Sequence, residues 1–381
     1  MSLEAWLKKA FGDDQPEHFG SGWISGVLSI VLGVLAVLAV LCFRYPSLLV
    51  MPELRGVYPV PLMRAVLELA IGLSFLLGLI SALLRKRKTL AVAGISSALL
   101  AVMLGGADVP LGQGGGSYYL GLDWFILSLL VLTFIFVPME RLFPYRAEQS
   151  VFRQGWTTDL THFFVSHLLV QMLTFLSLLP ATVIFAWLTG PQLQALVRAQ
   201  PLWLQFIEIM IVADLFEYSI HRLFHVVPWM WRFHAVHHSV ERMDWIAGSR
   251  LHLLDIVLVR GITFLPLYLL GFAQPAVYAY LVFVSFHAVF LHANVSFRLG
   301  WFEHVFALPR FHHWHHSSER EALDKNFALH FPWLDQLFGS KYLPDDRWPE
   351  HYGVAGYRLP EGWWAQLLWP LQRAQKPLSQ Q

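Results

Sequence analysis

The chain has 381 residues, 56% of them apolar and only 14% charged, with 27 Lys and Arg against 26 Asp and Glu. Soluble domains are about a quarter charged, so the long apolar runs point to a membrane, and a net charge of +1 offers nothing with which to hold a nucleic acid. The single cysteine, Cys42, excludes an intramolecular disulfide and any cysteine-based zinc or iron–sulfur site.

A membrane-crossing helix needs about 20 mostly apolar residues. The acidic start, with Asp13, Asp14 and Glu17, leads into an apolar run too long for a signal-peptide core, which reads as a retained span, Gly22–Phe43. Leu62–Leu84 follows, with Arg64 and Glu68 near its start, then Leu90–Leu104 and Trp124–Val137, both shorter. Phe163–Leu188 is long, and Pro180 is expected to kink it. Leu202–Ile220 carries Asp214 and Glu217 near its end, with His221 following. Ile256–Phe272 and Val277–Leu291 form a last hairpin around Gly271 and Pro275. The expected fold is therefore all-α and polytopic, with about eight membrane-embedded helices.

Lys and Arg flanking the spans orient the chain. Lys8 and Lys9, Arg85 to Lys88, Arg141 to Arg153, Arg222 with Arg232, and Arg298 with Arg310 all fall on one side if every span crosses. That side is the cytoplasm, and every histidine cluster lies on it. Residues 1–135 read as an N-terminal four-span module of unknown role, residues 136–370 as the catalytic domain, and 371–381 as a polar tail. Residues 292–381 are polar and His-rich and are expected to form a cytosolic helical cap.

The histidines carry the chemistry. Five of them, His221, His225, His234, His237 and His238, fall within eighteen residues. His221 and His225 are i,i+4 neighbours on a helix. His234, His237 and His238 have the spacing H-x-x-H-H, and His312, His315 and His316 repeat it. Imidazole is the commonest metal ligand, and eight imidazoles are too many for one ion but suit two. His292 lies at the end of the last span, at the depth of these clusters. His287 lies five residues earlier, about 140° away around the helix, and joins only through a kink or bulge. His252, before the seventh span, is a ligand or supports one. His313 is off the face of its cluster. His18, His162, His167, His304, His330 and His351 read as surface or hydrogen-bonded core residues. Asp214 and Glu217, upstream of His221, are expected to orient ligand imidazoles, with Asp255, Asp324 and Asn326 as further candidates. No catalytic residue stands out beyond the metal ligands.

A closed tetrahedral zinc site needs four ligands, so this donor set better suits two six-coordinate irons with open positions. Such a centre binds dioxygen and, with two external electrons, takes hydrogen from an unactivated C–H bond. There is no H-E-x-x-H, so a zinc metalloprotease has no support. No nucleotide fingerprint or haem-attachment motif is present, so electrons come from another protein or a small reductant.

At these residues the chain resembles the fatty acid hydroxylase/sterol desaturase superfamily. The resemblance runs from about Pro138 to Gly353 and is carried by Met-Glu-Arg-Leu-Phe-Pro-Tyr-Arg, His-Arg-Leu-Phe-His, His-Ala-Val-His-His-Ser, Leu-His-Ala-Asn, Phe-His-His-Trp-His-His and Asp-Lys-Asn-Phe-Ala. It implies a helical membrane oxygenase with a cytosol-facing di-iron centre, and as ligands His221, His225, His234, His237, His238, His292, His312, His315 and His316. His252 falls where many members have His-Pro-x-Asp/Glu, with Leu253 here in place of proline. His287 falls where other members often carry another residue. The Ser after the second box and Asp-Lys-Asn-Phe after the third are similar to the alkylglycerol monooxygenase-like branch, whose electron donor is a reduced pterin. The expected activity is hydroxylation or desaturation of a membrane lipid, using dioxygen and an external donor, either a redox protein or a reduced pterin. A His-rich metal transporter would place ligands along a path through the bilayer, and an inactive scaffold of the same fold would not need intact boxes.

Overall fold

The computed structural model describes residues 20–113, 119–345 and 347–372. Most of these residues are helical, and no strand occurs among them; their β-structure is confined to two isolated bridges, Pro144 with Val295 and Ser317 with Tyr352. The chain divides into two compact units: residues 1–130 with 167–171, and residues 131–166 with 172–381.

In the first unit, α1 (Trp23–Arg44), α2 (Val60–Leu84) and α3 (Thr89–Met103) pack together. Small residues let their backbones approach. Ser29 Oγ donates to the Ser74 carbonyl at 2.6 Å, and Ser74 Oγ returns a bond to the Ser29 carbonyl at 2.7 Å. A Cβ on Gly94 would stand only 2.0 Å from Ser29 Oγ, so this contact demands glycine. Outward-facing side chains such as Leu69 and Leu83 are exposed, as a lipid-facing helix requires.

The unit boundary falls within α4 (Leu122–Leu142). Two helices follow, α5 (Trp156–Leu168) and α6 (Val170–Phe185). The second unit then builds its centre from α7 (Leu202–Val226), α8 (Pro228–His238), α9 (Leu253–Leu270) and α10 (Gln274–His292). Helix α7 packs on both α9 and α10, burying Ile209, Ala213, Leu267 and Tyr280 between them. The α9–α10 turn is short because Gly271 takes the left-handed conformation, φ 68°, that closes a helix C-terminus, and Pro275 opens the next helix. After α10, the polar segment contributes α11 (Pro309–His315), α12 (Pro332–Leu337) and α13 (Trp363–Leu368).

Among the described residues, six helices are long and apolar enough to cross a membrane: Trp23–Arg44, Val60–Leu84, Thr89–Asp108, Leu122–Leu142, Leu253–Leu270 and Gln274–His292. A seventh arises if α5 and α6, bent by 65° between Leu168 and Met172, form one span. The expectation of about eight membrane-embedded helices is met approximately, by these six or seven together with the long α7. Helix α7 is long enough, but Glu208, Asp214 and Glu217 make it too charged to qualify. The break in the long fifth run lies before Met172 rather than at Pro180, whose side chain is outside the described residues, as is His18. With these helices the protein is integral to the membrane.

Candidate metal centre

Helices α8 and α11 are built alike. Each opens on a proline, Pro228 or Pro309, whose missing N–H costs nothing in the first turn. Each carries H-x-x-H-H at its C-terminal end. Together with α7 and the end of α10 they bring nine imidazoles into two groups: His221, His225, His234, His238 and His315, and His237, His292, His312 and His316, with the donor atoms of each group within 4.8 Å of one another. The groups abut, since the rings of His238 and His316 stack with centroids 4.5 Å apart.

Helical geometry explains the division. Residues i and i+4 lie 40° apart on a helix, whereas i+3 lies on the other side of i. The pair His234 and His238 therefore enters the first group while His237 enters the second. In the third box the same rule acts in reverse, with His312 and His316 in the second group and His315 in the first.

The rings are held from behind. In the first group, His221 Nδ1–H donates to the Phe327 carbonyl at 2.8 Å, His234 Nδ1–H to Asp255 at 2.7 Å, and His315 Nδ1–H to the Lys325 carbonyl at 2.8 Å. His225 Nδ1 lies 3.2 Å from the Asp324 carboxylate. In the second, His237 Nδ1–H donates to the Arg250 carbonyl at 3.1 Å and His292 Nδ1–H to the Ala288 carbonyl at 2.7 Å. An imidazole that donates at Nδ1 is an acceptor at Nε2, so each of these rings turns a lone pair inward. Such outward bonds are how proteins orient metal-binding histidines.

A metal fits these donors. Nε2 atoms of His221 and His234 are 3.0 Å apart, and those of His237 and His292 are 3.3 Å apart. Both members of each pair are acceptors, so no proton joins them and a cation between them is the favourable arrangement. Two nitrogens at right angles about 2.1 Å from one ion are about 3.0 Å apart. Nε2 of His225, His238 and His315 is buried with no partner, a cost that a cation removes. Burial first, then neighbouring imidazoles, hold His237, His238, His312 and His316 well below the ordinary imidazole pKa. Burial lowers His315 to about 3. All five are therefore neutral near pH 7, the ligating form.

The acceptors behind the rings belong to two braced segments. In the first, Asp324 and Asn326 have positive φ, 56° and 59°, and Asn326 donates to the Phe311 and Tyr342 carbonyls. Asp335 accepts from the backbone N–H of Phe327 and Ala328, and Asp214 from those of Leu329, His330 and Phe331. In the second, Arg153 bridges Asp159 and Asp244, and Arg250 donates to Asp159 at 2.5 Å. This buried network holds the Arg250 carbonyl beneath His237. Gly248 lies in the same segment, where a Cβ would stand 2.9 Å from His292 Nδ1.

Several sequence expectations are corrected. His252 caps α9, accepting from Leu254 N–H, with its Nε2 at the Leu367 carbonyl, so it joins neither group. His287 bonds His330 and the Ala307 carbonyl, because α10 runs unbroken and keeps it off the face of His292. Asp214 holds backbone rather than an imidazole, and Glu217 makes no bond to a histidine. The carboxylates behind the rings are Asp255 and Asp324. The carbonyl acceptors had no sequence signal, since every residue has one. His313 turns away to Tyr352 and the Ala293 carbonyl, and His162 bonds Gln366 and the Leu251 carbonyl.

A mainly apolar cavity of about 240 Å³ reaches both groups. His221, His234, His237, His292 and His312 form one part of its wall, and Ile256, Val259, Phe264 and Val284 extend it between α9 and α10. Arg260 also lines it. The sequence reading passed over this residue, although an arginine inside an apolar helix is a visible signal.

Residues 206–340 match the Fatty acid hydroxylase family model. The chain is 30% identical over 256 residues to the ornithine lipid hydroxylase OlsE of Rhizobium tropici, covering 66% of this chain and 76% of that protein. It is 34% identical over 128 residues to human alkylglycerol monooxygenase, covering 33% of this chain and 28% of the relative. It is 29% identical over 131 residues to the C-4 methylsterol oxidase erg25 of Schizosaccharomyces pombe, covering 32% of this chain and 42% of the relative. No solved structure matches. The box histidines of both groups lie inside the matched segment, and the similarity to OlsE extends well beyond it, so the chain belongs to the fatty acid hydroxylase/sterol desaturase superfamily of membrane oxidoreductases.

Proposed function

We propose that this protein is a membrane-bound di-iron oxygenase that hydroxylates, or desaturates, a C–H bond of a membrane lipid with dioxygen and two external electrons. The observation that carries this reading is the meeting of two inward-facing imidazole groups with one apolar cavity. His221, His225, His234, His238 and His315 would hold one iron, and His237, His292, His312 and His316 the other. Bound iron supplies the dioxygen chemistry and the oxidising power that an unactivated C–H bond requires. The protein holds the imidazoles neutral and oriented, and the cavity walls keep water from the reacting carbon. In hydroxylation one oxygen atom enters the C–H bond and the other leaves as water, consuming two electrons and two protons.

The histidine groups would face the cytoplasm, a reading supported by the Lys and Arg that flank the apolar runs. A polar cavity of about 400 Å³, lined by Arg146, Ser239, Glu241, Ser318 and Tyr352, lies beside the residues that follow His238 and His316. We place the electron donor there, whether a redox protein or a reduced pterin. The transporter reading gains nothing from the structure, since the nine imidazoles are gathered in one place rather than strung along a span.

The test is elemental analysis of the detergent-purified protein expressed with added iron, followed by mass spectrometry of host lipids. About two irons per chain, with new hydroxylated or unsaturated lipids that vanish in His237→Ala, is the expected result. Absence of bound metal, even after anaerobic loading with ferrous iron, would overturn it.

A further inference from the structure

The apolar cavity beside the histidines carries three polar side chains that the protein leaves without a partner. Arg260 lies inside α9, an 18-residue helix with a mean hydropathy of 1.9. It lines the cavity and makes no hydrogen bond or ion pair with any described residue. Thr263, one turn on, is 3% exposed, and its Oγ1 is buried without a partner. Helical hydroxyls normally donate to the carbonyl four residues back, as Thr161, Ser177, Ser219 and Ser285 do here. Thr263 lines the cavity, and its hydroxyl is left without that bond. Glu217, on α7 one turn before His221, lines the same space with no hydrogen bond or ion pair of its own.

An unpaired charge in an apolar setting is costly, and it is retained where a ligand completes it. Arg260 and the acid Glu217 line one cavity from different helices and do not pair with each other. One ligand bearing both signs would satisfy both. The positions suit a headgroup: Arg260 is five residues beyond Asp255, about 7.5 Å along the helix axis, and Asp255 holds His234.

Resting on the oxygenase reading above, we infer that the cavity selects a lipid with a zwitterionic headgroup. Arg260 and Thr263 take its anionic oxygens, from a carboxylate or a phosphate, and Glu217 takes its ammonium. Guanidinium and carboxylate bonds to charged groups are strong enough to shift affinity by about tenfold or more each.

The experiment is equilibrium binding to the full chain in detergent, loaded with redox-inert zinc so that no turnover is needed. Four single-chain probes are compared: Nα-palmitoyl-lysine and hexadecylphosphocholine, which are zwitterionic, and palmitate and hexadecylamine, which carry one sign. At least one zwitterion is expected to bind about tenfold more tightly than either single-sign probe, and which one does so separates carboxylate from phosphate. Arg260→Gln should abolish the preference over hexadecylamine, with partial recovery in Arg260→Lys, and Glu217→Gln should abolish the preference over palmitate. Thr263→Val, a gentler change, should weaken the preferred zwitterion by about threefold. Equal binding of all four probes, or wild-type zwitterion affinity in variants that unfold at the wild-type temperature, would overturn the inference. Product formation is measured separately, so a failure here leaves the oxygenase reading standing, and an inactive protein that keeps the preference leaves this one standing.

Discussion

Gly248→Ala is a small change with a defined consequence. Gly248 is not at a positive φ, so alanine adds only its methyl group without backbone strain. That methyl would stand 2.9 Å from His292 Nδ1 and 3.2 Å from its Cγ. Ordinary contact begins near 3.5 Å, so the ring must retreat by about 0.5 Å. His292 is held on both sides, donating to the Ala288 carbonyl at 2.7 Å and facing His312 Nε2 at 3.1 Å. Metal–ligand distances tolerate only about 0.2 Å, so the second group should lose about 10- to 100-fold in metal affinity. Overpacking should also destabilise the fold by about 1–3 kcal/mol. The assay is metal per chain after dialysis against a graded chelator series, with lipid turnover measured in parallel. The expected outcome is loss of the metal held by the second group at chelator concentrations that leave the first loaded. Wild-type metal retention and turnover in a folded Gly248→Ala protein would refute the placement of His292 as a ligand.

Asp255→Asn should weaken metal binding at the first group by about 10- to 100-fold, because it removes the carboxylate that accepts from His234; chelator titration reads this directly, and an unchanged midpoint would argue against the role. His252→Gln and His287→Gln should keep full metal content, whereas His237→Ala should lose it; metal loss in the first two would restore them as ligands. Stability should fall with acid. Burial, with His287 beside it, holds His330 well below the ordinary 6.5, so the folded state binds fewer protons there than the unfolded chain. Its contribution is complete above pH 6.5 and declines as pH falls below it. Thermal unfolding across that range should show the decline, and His330→Gln should make it shallower by the share of one histidine.

Much of this protein is legible in one dimension. Apolar runs long enough to span a bilayer announce an all-α membrane protein, because a backbone in lipid must satisfy its own hydrogen bonds. The H-x-x-x-H and H-x-x-H-H spacings identify eight of the nine gathered imidazoles, because spacing decides which residues share a helix face, and the place of His292 at the end of the last apolar run identifies the ninth. The 140° offset of His287 from His292 likewise foretells that an unbroken helix sends it elsewhere.

Tertiary structure decides the rest. Spacing separates His237 and His315 from their box partners, but which histidines of distant boxes they join is decided only once α7, α8, α10 and α11 are assembled. Nor can it find the acceptors behind the rings: carbonyls of Arg250, Lys325 and Phe327 become special only where a braced loop presents them. Asp214 and Asp255 look alike along the chain, yet one faces a loop's amides and the other an imidazole, because the pairing of each is set by what packs against its helix. The openness of Arg260 and Glu217 to one cavity belongs to the same class of fact. Local spacing governs which donors exist, and the packing of distant segments governs what each donor meets.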